Sequence, residues 1–441
     1  MNSYAQLITA KYVVTINANF EIFSPGAIYI VGDSIVDVGT SDVLKAKYPK
    51  ASLLDYPNEI LLPGLVNTHT HIAMSLLRGI ADDMPLKEWL ETVIWPLEKE
   101  FVNKDFVTVG SFITLAEFIR GGITCFNDMY FFQNEIAEAT ATAGLRAVMG
   151  ETLIDFPTPN AKTPNEGITY SKQFVARWKN HPLISPCIVT HAPYSCSATL
   201  LQSASNLSKE LEIPLSIHIS ETKTEIQESQ EKYGLSPVEY LDSLQFLNNS
   251  VIAAHCVHLS ENDISILYNR GVGIAHNPGS NLKLASGIAP LTVLLQKGIT
   301  VGLGTDGSAS NNNLSLFEEM TFASLLQKVV TGSAETISAK EMVYLATQGG
   351  ANVLKLGTKI GSLEKGKKAD FILISIQKPH AQPMYNVYSH IVYSAVAADV
   401  VSTYVNGKCL YDNGEIKTFN ENQYYQKAVE MSQKIITFRL K

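Results

Sequence analysis

The sequence predicts an α/β fold: a (β/α)8 TIM-type barrel carrying a small, discontinuous β-sandwich-like domain built from both termini. Three observations predict it. Between positions 61 and 360, short apolar runs alternate with longer helix-like stretches, the pattern of repeated β-α units around a parallel sheet. Both ends of the chain carry short strands punctuated by tight-turn signals instead. Six of the eight apolar runs also stop at a histidine or at Asp306, as expected where a barrel gathers its active-site residues at the C-terminal ends of its strands. The domains are therefore set at 1–60 plus 361–441 for the small β-domain and 61–360 for the barrel.

The N-terminal strands read as 7–10, 12–16, 26–31 and 34–38, with Gly32-Asp33 as a hairpin turn between the last two. A matching texture returns at 369–374 and 400–405, the latter followed by the turn Asn406-Gly407. The eight barrel strands are placed at 61–67, 121–127, 145–152, 185–190, 214–219, 251–255, 272–276 and 299–305. Helices are expected between them, among others from Phe106 to Arg120 and from Asn134 to Gly144.

Bulk properties exclude several classes of function. With 46% hydrophobic and 17% charged residues the composition is that of a globular protein with ample core material. A formal net charge of −8 argues against a nucleic-acid partner. No apolar run approaches the roughly 20 residues of a membrane span, and Met1–Gln6 lacks the pattern of a signal peptide, so a cytoplasmic location and no membrane partner are expected. The five cysteines, Cys125, Cys187, Cys196, Cys256 and Cys409, form no Cys-x-x-Cys pair and read as packed thiols.

The strand ends carry the chemistry. His69 and His71 lie one residue apart, so on a strand they share a side, although a lone His-x-His also fits a polar strand end. His218 closes the fifth strand and Asp306 the eighth. Three imidazoles and one carboxylate suit a zinc ion with one position open to water. Glu221, three residues past His218, is placed to act as general acid/base, and His255, at the end of the sixth strand, to assist beside Asp306. His276 precedes Asn277-Pro278 and reads as part of a turn, and Asp128 as a structural hydrogen-bond acceptor. His181, His258, His380 and His390 fall off the pattern and read as surface or packing residues, and Ser308, Ser310 and Asn311 as the rim of a pocket.

Several segments together resemble the cytosine- and adenosine-deaminase-like branch of the amidohydrolase superfamily, and within it the deaminases of methylthioadenosine and S-adenosylhomocysteine. They are 63–71 with its Thr68-His69-Thr70-His71, Trp95-Pro96-Leu97-Glu98, His191-Ala192-Pro193-Tyr194, His218-Ile219-Ser220-Glu221, Ala254-His255-Cys256, 276–284 and Gly304-Thr305-Asp306-Gly307. The resemblance implies a metal on His69, His71, His218 and Asp306, with one zinc per subunit and iron or manganese as alternatives. Two-metal relatives often carry a carboxylated lysine where this chain has His191, which favours one ion. It also implies substrate contacts from Glu98, to the ribose hydroxyls, and from His191, Glu221 and Asp306. Catalysis falls to Glu221, His255 and Asp306.

The implied partner is a small purine nucleoside, and the implied assembly a homo-oligomer, dimer or tetramer. The implied reaction is attack of metal-activated water on C6 of adenine, with Glu221 protonating N1 and ammonia leaving. Arginines after the third strand hold the carboxylate of S-adenosylhomocysteine in some relatives, but 151–170 contains no arginine and only Lys162, so methylthioadenosine is the expected substrate. Met129-Tyr130-Phe131-Phe132 could pack its apolar tail or serve the core. The alternatives are an aminohydrolase or chlorohydrolase of guanine, cytosine or a triazine, and a catalytically dead scaffold.

Overall fold

The computed structural model describes residues 5–439; Met1–Tyr4, read above for a signal peptide, lie outside the described residues. Eight parallel strands form the barrel: β1 (Leu65–Thr70), β2 (Ile123–Tyr130), β3 (Arg146–Leu153), β4 (Ile188–Thr190), β5 (Leu215–Ile219), β6 (Val251–His255), β7 (Gly273–His276) and β8 (Val301–Leu303). Their order around the sheet is their order in the chain. The β8–β1 seam is closed by single contacts: Asp306 N–H donates to the His69 carbonyl at 3.0 Å, and Thr305 N–H to Asn67 Oδ1 at 3.0 Å.

Side-chain alternation builds two apolar layers from each strand. Val66, Cys125, Val148, Val189, Ile252 and Ala254 fill the barrel interior together with Ala351, Val353 and Leu354 from the segment that follows β8. Leu65, Phe126, Ala147, Ile188, Ile217 and Ala253 point outward to the helices. The helix Lys104–Arg120 is capped by Asn103, which accepts the Phe106 N–H, and Gln133–Ala143 ends at Gly144 with φ +83°, a left-handed stop that glycine adopts without strain.

The first expected barrel strand, 61–67, straddles two strands. Ser52–Pro63 belongs to the terminal sheet, and the chain turns at Gly64 into β1. Pro63-Gly64 marks that turn inside the apolar run, and at the glycine a methyl group would lie 2.0 Å from Thr124 Oγ1. The fourth expected strand splits into Ile184–Pro186 and β4, and the eighth shortens to three residues.

The termini build one nine-stranded sheet in the order Glu415–Ile416, Lys408–Asp412, Val400–Val405, Phe371–Ser375, Ser52–Pro63, Ala5–Val14, Gly26–Val31, Ser34–Thr40, with Ile22–Phe23 paired to Ala5–Val14. Both expected hairpins form. Gly32-Asp33 joins Val31 to Ser34, and Asn406-Gly407 has positive φ at both residues, as a type I′ turn requires. The sheet curls: Ile35 N–H reaches the Lys367 carbonyl and Ala369 N–H the Asp33 carbonyl, both at 2.8 Å. Leu61, Phe371 and Leu373 thereby face an inner cluster with Ile8, Ile28 and Ile30, while Ile60, Leu62, Ile372 and Ile374 join the large core shared with the barrel. The last helix, Asn422–Arg439, lies against Lys104–Arg120, where Phe112 and Tyr424 stack with centroids 4.0 Å apart and Arg120 pairs with Glu421. All five cysteines are free, and no helix among the described residues is long and apolar enough to cross a membrane.

One buried ion pair ties sheet to barrel. Arg146, opening β3, donates to Asp370 at 2.9 Å and to Asn406 Oδ1 at 2.6 Å, with both charged side chains almost wholly buried. Arg146→Met leaves Asp370 as an uncompensated buried charge, and such losses cost about 3–5 kcal/mol. The expected result is a clearly lower urea midpoint, and an unchanged midpoint would contradict this role for the pair.

Candidate metal centre and active site

The ends of β1, β4, β5, β6 and β8 deliver their polar side chains to one mouth of the barrel. Ile217 and Ile219 point outward, so His218 between them points in, and the end of β1 brings His69 and His71 together with ring centroids 4.9 Å apart. His69 and His218 are also 4.9 Å apart, and His71 and His218 5.5 Å. Asp306 Oδ1 lies 3.4 Å from His69 Nε2 and 3.2 Å from His71 Nε2. Candidate ligand atoms of His69, His71 and Asp306 all lie within 4.8 Å of one another, as do those of His69, His218 and His255.

The hydrogen bonds around this cluster aim its nitrogens. His71 Nδ1–H donates to the Met129 carbonyl at 2.6 Å and His218 Nδ1–H to the His191 carbonyl at 2.7 Å, which leaves each Nε2 lone pair facing the centre. His69 is fully buried, and neither of its nitrogens has a hydrogen-bond partner. A buried imidazole without partners is costly unless something else takes its lone pair, and a metal ion does so. The donor set of three imidazoles and one carboxylate fits a divalent ion such as zinc.

The charges follow from the same packing. Burial pushes the His69 imidazole down to about 4, against the pull of Asp306. Burial also depresses His71, but the Asp306 carboxylate beside it prevails and holds it up at about 9, so a metal ion that takes the Nε2 lone pair displaces a proton there. Burial would raise Asp306, yet the two imidazoles keep it well below the usual carboxylate range. Its oxygens further accept hydrogen bonds from Ser280 Oγ and Gly307 N–H, each at 2.7 Å.

Glu221 and His255 stand beside the cluster. His255 Nε2 is 3.6 Å from Glu221 Oε2 and 3.9 Å from Asp306 Oδ2, and its Nδ1–H donates to Asn281 Oδ1 at 2.8 Å. Alternation along β6 would send His255 outward with Val251 and Ala253; left-handed φ values of 71° at His255 and 51° at Cys256 turn it toward the site instead. Ser220 and Asp306 are left-handed as well, at φ 54° and 60°. Such conformations cost about 1–2 kcal/mol each and gather at functional sites. Burial raises the Glu221 carboxyl, and Ser286 Oγ donates to it at 3.3 Å.

A cavity of about 580 Å³ opens above these residues. Its floor holds His71, His218, Glu221, His255 and Asp306, and its walls are largely apolar, with Trp95, Phe131, Ile154 and Phe156 among them. Glu98 enters from the helix Trp95–Phe101, where burial pushes its carboxyl up to about 7. His191 lines the cavity, its Nδ1 2.7 Å from Ser195 Oγ. Met129, Tyr130 and Phe131 contribute to the wall.

His276 is buried outside the cavity lining, both of its nitrogens without partners. Asp128 accepts the Ile72 N–H and Gln133 Nε2, each at 2.7 Å, behind the end of β1.

Three contributors escape a reading of the strand ends. Glu225 accepts the N–H groups of Ser220 at 2.9 Å and Glu221 at 2.7 Å, fixing the turn that carries Glu221. Asn281 orients His255 and Ser280 orients Asp306, both from the short helix Pro278–Lys283. Thr222-x-x-Glu225 signals only a helix cap in sequence, and no local pattern marks the two residues on the short helix.

The model of the amidohydrolase family matches residues 60–410. The chain is 42% identical over 435 residues to the 5-methylthioadenosine/S-adenosylhomocysteine deaminase 1 of Syntrophus aciditrophicus, covering 99% of this chain and 98% of that one. It is 42% identical over 410 residues to the 5′-deoxyadenosine deaminase of Methanocaldococcus jannaschii, covering 92% and 95%. Among solved structures, a zinc-bound adenosine deaminase from Xanthomonas campestris superposes with a TM-score of 0.96 at 36% identity, covering 98% of both chains. Two-thirds of the chain and more is matched in each case, and with that the chain belongs to the amidohydrolase family.

Proposed function

We propose that this chain is a metal-dependent aminohydrolase that converts the adenine ring of 5′-methylthioadenosine and related nucleosides to the inosine-type product and ammonia. The observation that carries the reading is the meeting of His71, His218 and Asp306 with Glu221 on the floor of a largely apolar cavity that Glu98 also enters, with His69 buried against them. The names of full-length relatives at about 42% identity support the nucleoside class. One divalent ion, zinc in the first instance, would be held by the three imidazoles and Asp306; when bound, it supplies Lewis-acid activation of a water molecule.

The chain's own residues do the rest. Glu221, its carboxyl raised by burial, carries a proton to N1 of the purine ring as water adds to C6. His255, held by Asn281, and Asp306 flank the attacking side and take up one proton of the water, which leaves with ammonia, while the other, on the new hydroxyl, passes to Glu221 as the C6 carbonyl forms. Glu98 accepts the ribose hydroxyls and His191 contacts the substrate, while the apolar wall excludes bulk water.

An ammonia-release screen of the zinc-loaded protein against methylthioadenosine, S-adenosylhomocysteine, adenosine, guanine and cytosine tests the reading. Turnover of the nucleosides is expected, and activity confined to a free base would sink it. The Glu98 carboxyl sits at about 7 and must be ionised to accept both ribose hydroxyls, so kcat/KM for a nucleoside rises with pH through about 7. Glu98→Gln should flatten that limb of the profile; an unchanged limb removes Glu98 from it.

A further inference from the structure

Glu319 is a wholly buried carboxyl that the chemistry above does not use. It lies on the helix Leu316–Thr331, which Leu316, Phe317, Met320 and Ala323 seat in the large core. Both of its oxygens face N–H donors: Oε2 accepts the Gly279 N–H at 2.8 Å, and Oε1 accepts Asn311 Nδ2–H at 2.7 Å. Burial pushes the carboxyl up to about 8, and the two donors offset that rise only in part. Each donor belongs to an element that carries the site. Gly279 sits in the short helix Pro278–Lys283, and the two residues after it are Ser280, the donor to Asp306, and Asn281, the acceptor for His255. Asn311 Nδ2 also donates to the carbonyl of Thr305, the neighbour of Asp306, at 2.8 Å. The approach leaves no room for a side chain at position 279, where a methyl group would lie 2.4 Å from Glu319 Oε1 and 2.8 Å from Asn311 Oδ1.

We propose that Glu319 is a positioning residue for the reaction: it fastens the helix Pro278–Lys283 to the turn after β8, so that Ser280 stays aimed at Asp306 and Asn281 at His255. Glu225 does the same for Glu221, by accepting two N–H groups of the turn that carries it. What Asp306 and His255 do to a substrate rests on the deaminase reading above, whereas the aim of Asp306 at a metal ion needs no substrate. Glutamine has the shape of glutamate but cannot replace it here, because its amide nitrogen sets N–H groups against one of the two donors. Outer partners of a metal ligand are worth about 10–100-fold in affinity or activity, and Glu319 stands one hydrogen bond further out, so the low end of that range is expected.

Glu319→Gln and Gly279→Ala break one contact from its two sides. Each is expected to lower kcat for methylthioadenosine about tenfold with KM nearly unchanged, and to weaken zinc binding, read by competition with a chelator, by several-fold. In an Asn281→Ala background, where His255 has already lost its acceptor, the further loss in kcat should shrink to about threefold or less, because the two residues act through one path. The loss in zinc affinity should shrink in the same way in Ser280→Ala. A residue that only supports the fold gives the opposite pattern: a lower urea midpoint, wild-type kcat and zinc affinity in the folded variants, and losses that add across the backgrounds. That pattern overturns the proposal, as does failure of both Glu319→Gln and Gly279→Ala to fold, which would make the contact a structural one. A wild type that releases ammonia from no nucleoside overturns the deaminase reading instead, and the zinc competition then decides for or against Glu319.

Discussion

Glu221→Gln is expected to bind its metal as the wild type does and to lose about 10²–10⁴-fold in kcat, the range that removal of a general acid/base spans. Glutamine keeps the shape of the side chain and can still accept a hydrogen bond from Ser286, so the turn held by Glu225 stays in place. Only the exchangeable proton is lost. Because that proton is needed at N1 when water adds to C6, kcat and kcat/KM should fall together, with metal content unchanged. A variant that retains most of its turnover removes Glu221 from the mechanism.

His69→Ala is expected to lower metal affinity by more than about 100-fold and to remove activity with it, since even outer partners of a ligand are worth about 10–100-fold. His69 separates this effect cleanly from misfolding. Its ring makes no hydrogen bond, so no hydrogen bond is lost with it. The metal-free variant should therefore unfold below the wild-type metal-free midpoint only by the cost of the cavity and of the lost attraction between His69 and the buried Asp306 carboxylate. Added zinc should raise the wild-type midpoint by mass action and leave the variant's unmoved. Metal retention in His69→Ala would take His69 out of the ligand set.

The barrel and most of the candidate site were legible for one reason. A barrel concentrates its polar residues where apolar strands end, and that boundary is a sequence-local event. His69, His71, His218, His255 and Asp306 all mark such a boundary, and His218 needed only strand alternation to be aimed correctly. His255 did not obey alternation; two consecutive left-handed residues turn it, and nothing in Ala254-His255-Cys256 favours that backbone over an extended one. Glu98 came from family likeness alone, and His191, which its strand end marked, took its substrate role from that likeness, because the use of both depends on how the helix Trp95–Phe101 and the end of β4 meet across the cavity.

The split at Gly64 is signalled by Pro63-Gly64 and was missed because the apolar residues on either side of that pair read as one continuous strand. Asn281 and Ser280 were not legible, because their roles exist only once a six-residue helix lays them beside β6 and β8.

The central claim is that one metal ion, on His69, His71, His218 and Asp306, runs the deamination. Titrating zinc into the chelated protein while following ammonia release from methylthioadenosine tests it most directly. Activity should be absent at the start, rise linearly, and break at one equivalent per chain. Ammonia release from the metal-free protein, or a break at two equivalents, would contradict the account.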